Sequence, residues 1–182
     1  DNEFNDEKQY ALDVKTGRKA DNGTELDGPM TPGSYASYFR NPSTSPRSIP
    51  YPYETYDEHW IAAFLHQWSA DDGSQGMVSD IEILVTQKWR ISAFKPGSGD
   101  TNNIGSVKNV RCLEDGEGAF ESRERFEEYY SSLPVYEDRA RGEVDEFITA
   151  WELYLDDDDA TDMVAFYEDY KSEETEQSTF SD

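Results

Sequence analysis

Hydrophobic positions recur at helical spacing between residues 54 and 70. Their separations of one, three and four positions form one apolar stripe, which consists of Tyr56, Trp60, Ile61, Phe64, Leu65 and Trp68. Thr55 and Glu58 match the Thr-x-x-Glu capping box, in which each side chain satisfies a backbone N–H at a helix start. The pattern predicts an amphipathic helix over residues 54–70, and Gly73 is a suitable residue to end it.

Alternating apolar and polar positions predict strands on both sides of this helix. In the first, Tyr10, Leu12 and Val14 alternate with Ala11 and Asp13. Residues 77–86 and 89–94 show the same two-residue period, and residues 107–113 provide a last strand. These segments predict a small antiparallel sheet against which the amphipathic helix packs.

Beyond residue 114 the apolar spacing is again helical. Residues 119–132, 143–155 and 161–171 each carry one apolar stripe, so each predicted helix needs a surface to pack on. The expected fold class is therefore α+β, with a small antiparallel sheet, one packed amphipathic helix and acidic C-terminal helices. We expect three parts: an extended Pro/Tyr-rich arm (1–53), an α/β core (54–113) and an acidic helical segment (114–182).

The arm contains six of the eight prolines, all within residues 28–53. Proline fixes φ and removes a backbone donor, which excludes a central strand or a helix interior there. Aromatic residues are interleaved with these prolines, and an extended arm of this kind can bury its rings on another surface. We therefore predict partner contacts by Tyr35, Tyr38, Phe39, Tyr51 and Tyr53; the alternative is a long loop packed on its own domain.

The net charge is −24, and it is unevenly distributed. Residues 1–113 contain 16 Asp/Glu and 11 Lys/Arg, whereas residues 114–182 contain 24 and 5. Nucleic acids and anionic lipids are polyanions, so this charge predicts no direct contact with nucleic acid. It favours cations, basic partners or a halophilic origin.

Residues with catalytic or metal-binding chemistry are few. His59 and His66 would lie two turns apart on the predicted helix, too far to share one metal ion. Cys112 is expected to be a buried structural thiol, because a nucleophilic cysteine needs a positioned base. The acidic run 156–159 with Asp162 suits a helix start or a divalent cation. We therefore expect no catalytic residue, no cofactor and no enzyme activity, with divalent cations as conceivable partners of the acidic segment.

Two segments carry a resemblance to a known family. The opening DNEFNDE resembles the mature start of Bacteroidota-type exported surface lipoproteins, in which a lipid-bearing cysteine precedes such an acidic stretch. The run NIGSVKNVRCLED at residues 103–115 is similar to the closing strand of β-rich lipoprotein and fimbrial-type domains from the same group. The resemblance implies a lipid anchor as the sole contact with a membrane, and a location in the cell envelope or on the extracellular surface.

The expected function is therefore a non-catalytic accessory or structural subunit of a larger, cell-envelope assembly that acts by protein–protein contact. The alternative is an acidic mimic of nucleic acid that inhibits a basic protein. This alternative would place the chain in the cytoplasm.

Overall fold

A computed structural model describes residues 8–40, 43, 51–69, 76–97, 102–135 and 142–179. These residues form an α+β fold, which confirms the predicted fold class. The strands are β1 (Tyr10–Arg18), β2 (Glu58–Ser69), β3 (Met77–Gln87), β4 (Ser92–Ala93) and β5 (Gly105–Ser106). The α-helices are α1 (Val110–Asp115), α2 (Arg123–Ser132), α3 (Glu143–Asp156) and α4 (Met163–Thr179).

The main sheet has three strands in the order β1-β2-β3. β1 pairs with β2 in parallel, and β2 pairs with β3 in antiparallel orientation. The sheet is therefore mixed, and the purely antiparallel sheet expected from the sequence is wrong. A parallel pair needs a crossover connection between its strands, and residues 19–57 provide it. β4 and β5 form a separate two-stranded sheet.

The amphipathic helix predicted over residues 54–70 is also wrong, because this segment contains the 12-residue strand β2. A strand that packs on a hydrophobic core with one face and also has apolar residues on its other face is hydrophobic at nearly every position. Such a run can match a helical stripe by chance. Thr55 ends a 3₁₀ turn instead of capping a helix. Glu58 accepts a hydrogen bond from Trp60 Nε1 at 2.9 Å. The predicted helix end at Gly73 lies outside the described residues.

The other strand predictions had mixed outcomes. β1 and β3 confirm the strands predicted around residues 10–14 and 77–86. In residues 89–94 only Ser92–Ala93 is a strand, after a 3₁₀ turn at Lys88–Ile91. The strand predicted over 107–113 is wrong, because α1 begins there: the Asn109 side chain accepts a hydrogen bond from Cys112 N and caps it. A side-chain cap of this kind stabilises a helix start more than a short alternation stabilises a strand.

Two hydrophobic clusters hold these elements together. One lies under the sheet, where Ile61, Ala63 and Leu65 of β2 pack against Leu26, Met30, Ile91, Val110 and Leu113. The other joins α2, α3 and α4, which confirm the three predicted C-terminal helices. At its centre the Tyr129 ring meets Phe147 and Trp151 edge-on, with centroids 5.3 and 5.2 Å apart.

Two further expectations concern the chain as a whole. Across the described residues, no helix combines the length and the apolar composition needed to cross a bilayer. The division of the chain into three parts at residues 53 and 113 stays a prediction.

Candidate active site

A carboxylate and an ammonium group lie side by side on β1. Successive strand residues point to opposite faces, so Asp13 and Lys15 share one face of β1. Lys15 Nζ lies 3.1 Å from Asp13 Oδ2, and the two side chains are 28% and 35% exposed respectively. This face is turned toward the protein interior, whereas Leu12 and Val14 on the other face are exposed. The pair is therefore held at the rim of the core and remains accessible.

Lys88 adds a third charged group to this region. It follows β3 in the 3₁₀ turn and is only 4% exposed. Its Nζ lies 4.1 Å from the centroid of the Tyr38 ring, in a cation–π contact. Burial lowers the pKa of Lys88 to about 7, while Asp13 raises this pKa and Lys15 lowers it. The three side chains therefore belong to one electrostatic cluster, which we call the β1 charge cluster (Asp13, Lys15, Lys88).

A cavity of about 290 Å³ adjoins the cluster, because Lys88 forms part of its wall. His59 also lines it, and its Nδ1 lies 3.2 Å from Tyr38 Oη. Hydrogen bonds from Trp60 and Gln87 lower the pKa of Glu58, another residue of the wall. The cavity thus combines aromatic rings with groups of both charges.

Asp13 fits one ligand position of a Mg²⁺ site. Within the described ranges, no group of three or more His, Cys, Asp or Glu side chains is arranged to hold a metal ion. Mg²⁺ is usually bound through one or two carboxylates, with waters and substrate phosphates completing its shell. A single half-exposed carboxylate beside a cation is compatible with binding of this kind, in which a phosphate supplies much of the coordination.

The predicted partner-binding residues are placed differently from one another. Tyr35 and Tyr38 lie in the helical cluster and are 0% and 8% exposed, and Phe39 packs against that cluster. Tyr51 is 47% exposed, and the side chain of Tyr53 lies outside the described residues. Burial gives Tyr35 and Tyr38 a packing role, and Tyr35 Oη donates a hydrogen bond to Pro134 O. That these five residues bind a partner stays a prediction.

Three other predicted residues also have definite positions. His59 and His66 lie on β2 and not on a helix. Cys112 lies on α1 and is half-buried, so the expectation of a buried thiol on a strand is wrong. Asp162 Oδ1 accepts hydrogen bonds from Val164 N and Ala165 N, which confirms the helix-start interpretation for Asp162. Asp156, in contrast, is the last residue of α3.

Sequence reasoning overlooked the β1 charge cluster. The strand predicted at residues 10–14 contains Asp13 and ends one residue before Lys15. Continued by one residue, it would place both side chains on one face, because they are two positions apart. The alternation by itself indicates only the polar side of a strand. Lys88 carried no comparable signal, since a lysine in a Gln-Lys-Trp segment is normally exposed.

Comparison with known proteins identifies relatives of this chain. The family model described as restriction endonuclease EcoRV matches residues 1–156. The type II restriction enzyme EcoRV of Escherichia coli is 28% identical over an alignment of 137 residues, and the match covers 68% of this chain and 54% of that protein. The chain therefore spans about half the length of this curated relative.

These matches overturn the functional expectations drawn from the sequence. The lipoprotein resemblance is wrong, because the matched family is one of restriction endonucleases and the match includes both segments that carried the resemblance. The expectations of a non-catalytic accessory subunit, of no enzyme activity and of no direct nucleic-acid contact are wrong for the same reason. The cell-envelope location rested on the lipoprotein resemblance and is wrong with it, and the acidic-mimic alternative gains no support.

Proposed function

The chain belongs to the EcoRV restriction endonuclease family, and from this premise we propose that it hydrolyses phosphodiester bonds in DNA with Asp13 and Lys15 as catalytic residues. The observation that carries the proposal is the contact between Asp13 Oδ2 and Lys15 Nζ at the rim of the core. Cleavage of a phosphodiester needs an anionic group that holds a divalent cation and a cation that stabilises negative charge. The β1 pair provides one of each.

Asp13 is the metal-holding group in this proposal. Mg²⁺ bound there would act as a Lewis acid on the phosphate and lower the pKa of a water. The half-exposed position of Asp13 lets the carboxylate bind a cation from solvent while β1 keeps its backbone fixed. Lys15 holds one oxygen of this carboxylate, which limits the orientations of the other.

Lys15 is the charge-stabilising group. When water attacks phosphorus, a new P–O bond forms, the bond to the leaving oxygen breaks, and negative charge builds up on the phosphoryl oxygens. A lysine fixed in place stabilises that charge without reorganisation at the moment of reaction. Because its side chain is 28% exposed, Lys15 is partly desolvated, which strengthens its interaction with an incoming phosphate.

The proposed substrate and location follow from this chemistry. DNA is the direct partner, and the cytoplasm is the compartment in which a bacterial DNA-cleaving enzyme meets DNA. His59 and Arg123 also line the cavity beside Lys88. Both side chains are able to donate to phosphate oxygens.

The proposal is tested with a cleavage assay on supercoiled plasmid in the presence of Mg²⁺. We expect nicked and linear products with the full chain, and no products when EDTA removes the cation. Asp13→Asn and Lys15→Ala should each lower the cleavage rate at least about 100-fold, which corresponds to about 2.7 kcal/mol of transition-state stabilisation. Circular dichroism should show that both variants remain folded.

Asp27→Asn is the matched control. Asp27 forms an ion pair with Arg18 of β1, with 3.5 Å between the atoms, but both side chains are at least half exposed. This variant loses a carboxylate paired with a β1 cation outside the proposed site, so its cleavage rate should stay within about twofold, as expected for an exposed pair. Cleavage by Asp13→Asn at the rate of the unaltered chain would refute the assignment.

A further inference from the structure

The cavity beside Lys88 is walled largely by aromatic rings. Its volume of about 290 Å³ is close to the lower end of the range for pockets that bind small molecules. The Tyr38 and His59 rings meet edge-on with 4.8 Å between their centroids, and the Tyr56 and His59 rings do so at 5.8 Å. These contacts hold the rings in place around a space that suits a flat ligand. The aromatic residues of the wall, besides His59, are Tyr38, Phe39, Tyr56, Trp89 and Phe126.

Glu58 gives this cavity a hydrogen-bond acceptor of fixed orientation. Its Oε2 accepts hydrogen bonds from Trp60 Nε1 at 2.9 Å and from Gln87 Nε2 at 3.2 Å, and these bonds lower the pKa of the carboxyl group. Its other oxygen, Oε1, lies 3.8 Å from Lys8 Nζ, which is too long for a hydrogen bond. Glu58 is therefore an ionised carboxylate whose second oxygen is able to accept a hydrogen bond from a ligand.

The cavity and the β1 charge cluster share a wall. Lys88 lines the cavity, and both Asp13 and Lys15 shift the pKa of its amine. Arg123 lines the cavity as well, with a side chain that is 44% exposed. Its Nε and Nη1 donate to neighbouring groups of the chain, but a guanidinium has five N–H donors, so others remain for a phosphate oxygen. A DNA strand that brings a phosphate to Lys15 therefore passes beside the cavity.

We propose that this cavity holds one unstacked nucleobase of the DNA substrate and favours guanine, whose edge carries N–H donors. The base lies against the aromatic rings, which stack on any nucleobase. The Glu58 carboxylate accepts from the guanine N–H groups, as carboxylates do from the amino group of cytosine in direct readout. Thymine is disfavoured, because its two carbonyl oxygens would face the carboxylate. This inference deepens the proposed function and rests on it for the source of the base.

The test is a titration of the full chain with dGMP and with dTMP in the presence of EDTA, followed by NMR of the tryptophan indole N–H groups. Both nucleotides carry the same phosphate, so the comparison isolates the base. The Trp89 signal should shift, because Trp89 lines the cavity. The Trp151 signal should not, because this residue is 1% exposed in the helical cluster. We expect dGMP to bind at least about tenfold more tightly than dTMP.

Two variants separate stacking from hydrogen bonding. Tyr56→Leu keeps an apolar side chain but removes a flat face, so it should weaken the binding of both nucleotides at least about tenfold. Tyr51→Leu is its control and should leave both affinities unchanged, because Tyr51 is 47% exposed and does not line the cavity. Glu58→Gln should abolish the preference for dGMP over dTMP. Glu152→Gln, which removes an exposed carboxylate of α3, should keep that preference.

A second titration uses a DNA duplex with one unpaired guanine, again in EDTA, and a fully paired duplex as its control. An unpaired base leaves the stack at little cost, so the Trp89 signal should shift with the first duplex and not with the second. A shift with dGMP but none with the unpaired guanine would overturn the proposal, because the ligand would then be a free nucleotide. Equal affinity for dGMP and dTMP, or equal effects of Tyr56→Leu and Tyr51→Leu, would overturn it as well.

These measurements record binding and not cleavage, so the two proposals can fail separately. A chain that cuts plasmid but shows no Trp89 shift with either ligand retains the proposed function and loses the nucleobase site. A chain that binds dGMP and the unpaired guanine but leaves plasmid intact retains the site and loses the proposed function.

Discussion

Replacing Lys88 with Met should change how the stability of this protein depends on pH. The Lys88 side chain is 4% exposed, and burial lowers its pKa from 10.5 to about 7. In the unfolded chain the lysine holds its proton up to about pH 10.5, so between pH 7 and pH 10.5 the unfolded state binds more protons than the folded state. The contribution of Lys88 therefore makes the protein more stable as pH rises through this range.

The size of the effect follows from the two pKa values. The difference between 10.5 and about 7 corresponds to about 5 kcal/mol over the whole range, of which about 2 kcal/mol falls between pH 7 and pH 9. Methionine has a similar volume and no charge, so Lys88→Met removes this cost at every pH. The variant should be more stable than the unaltered chain at pH 7, and this advantage should shrink by about 2 kcal/mol at pH 9.

The assay is urea unfolding followed by tryptophan fluorescence at pH 7, 8 and 9. Subtracting the free energy of unfolding of one protein from that of the other at each pH cancels the contributions of all other titrating groups. Lys95→Met is the matched control, because the Lys95 side chain is 70% exposed in its ion pair with Asp145, and its effect on stability should stay within about 0.5 kcal/mol at each pH. If the unaltered chain and Lys88→Met keep a constant difference between pH 7 and pH 9, Lys88 is not a buried charge and our account of the charge cluster fails.

Two further predictions concern packing beside β4 and β5. Tyr130 Oη donates a hydrogen bond to Ala93 O at 2.6 Å and accepts one from Gly105 N at 3.3 Å. Tyr130→Phe should therefore lower the free energy of unfolding by about 1–2 kcal/mol while keeping the ring contacts. An unchanged thermal unfolding temperature would contradict this prediction. Gly105→Ala would place its Cβ 2.2 Å from Lys95 O, which should cost about 1–3 kcal/mol or more. Gly28→Ala is the control, because nothing lies within 4 Å of the added atom. It should have little effect on the free energy of unfolding in the same urea experiment. Equal effects of both substitutions would refute the packing argument.

The local sequence pattern correctly predicted β1 and α3. In β1 the residues on one side are exposed and those on the other are mostly half-buried, and such alternation is typical of a strand. In α3 the positions of Phe147, Trp151 and Tyr154 share a buried stripe at helical spacing, as the apolar pattern of residues 143–155 predicts. A regular period was not sufficient by itself, because residues 89–94 also alternate and only Ser92–Ala93 among them form a strand.

β2 could not be assigned correctly from local pattern. Ile61 and Leu65 are buried under the sheet, while Trp60 and Phe64 belong to the other face. Apolar residues on both faces occupy adjacent positions, and the result matches a helical stripe as well as a strand. Only pairing with β1 and β3, two segments distant in sequence, decides between them.

Only part of the candidate site could be predicted from the sequence. Asp13 lies in the strand predicted over residues 10–14, and Lys15 comes directly after that segment. Their juxtaposition follows from the two-residue period only once the strand is continued to Lys15, as β1 is. The burial of Lys88 depends on the packing of Tyr38, from the π-helical turn at Ala36–Arg40, against the end of β3. That contact joins segments 50 residues apart and has no local signal.

The prediction of no direct contact with nucleic acid was wrong for a different reason. It rested on the net charge of the whole chain and not on where the charges lie. Of the charge of −24, residues 1–113 carry −5 and residues 114–182 carry −19. The β1 charge cluster lies in the first part, and one of its members, Lys88, has a pKa of about 7 and is charged only in part at neutral pH. Interactions between exposed charges fade beyond about 8 Å at physiological ionic strength, so a phosphate at β1 responds mainly to the charges nearest to it. Those charges include Glu127 of α2 as well as Lys88, because both side chains line the same cavity. A bound divalent cation at Asp13 would add positive charge at the same place. Net charge therefore governs how a protein of this kind approaches DNA, whereas the local arrangement of a few side chains governs what it does on contact.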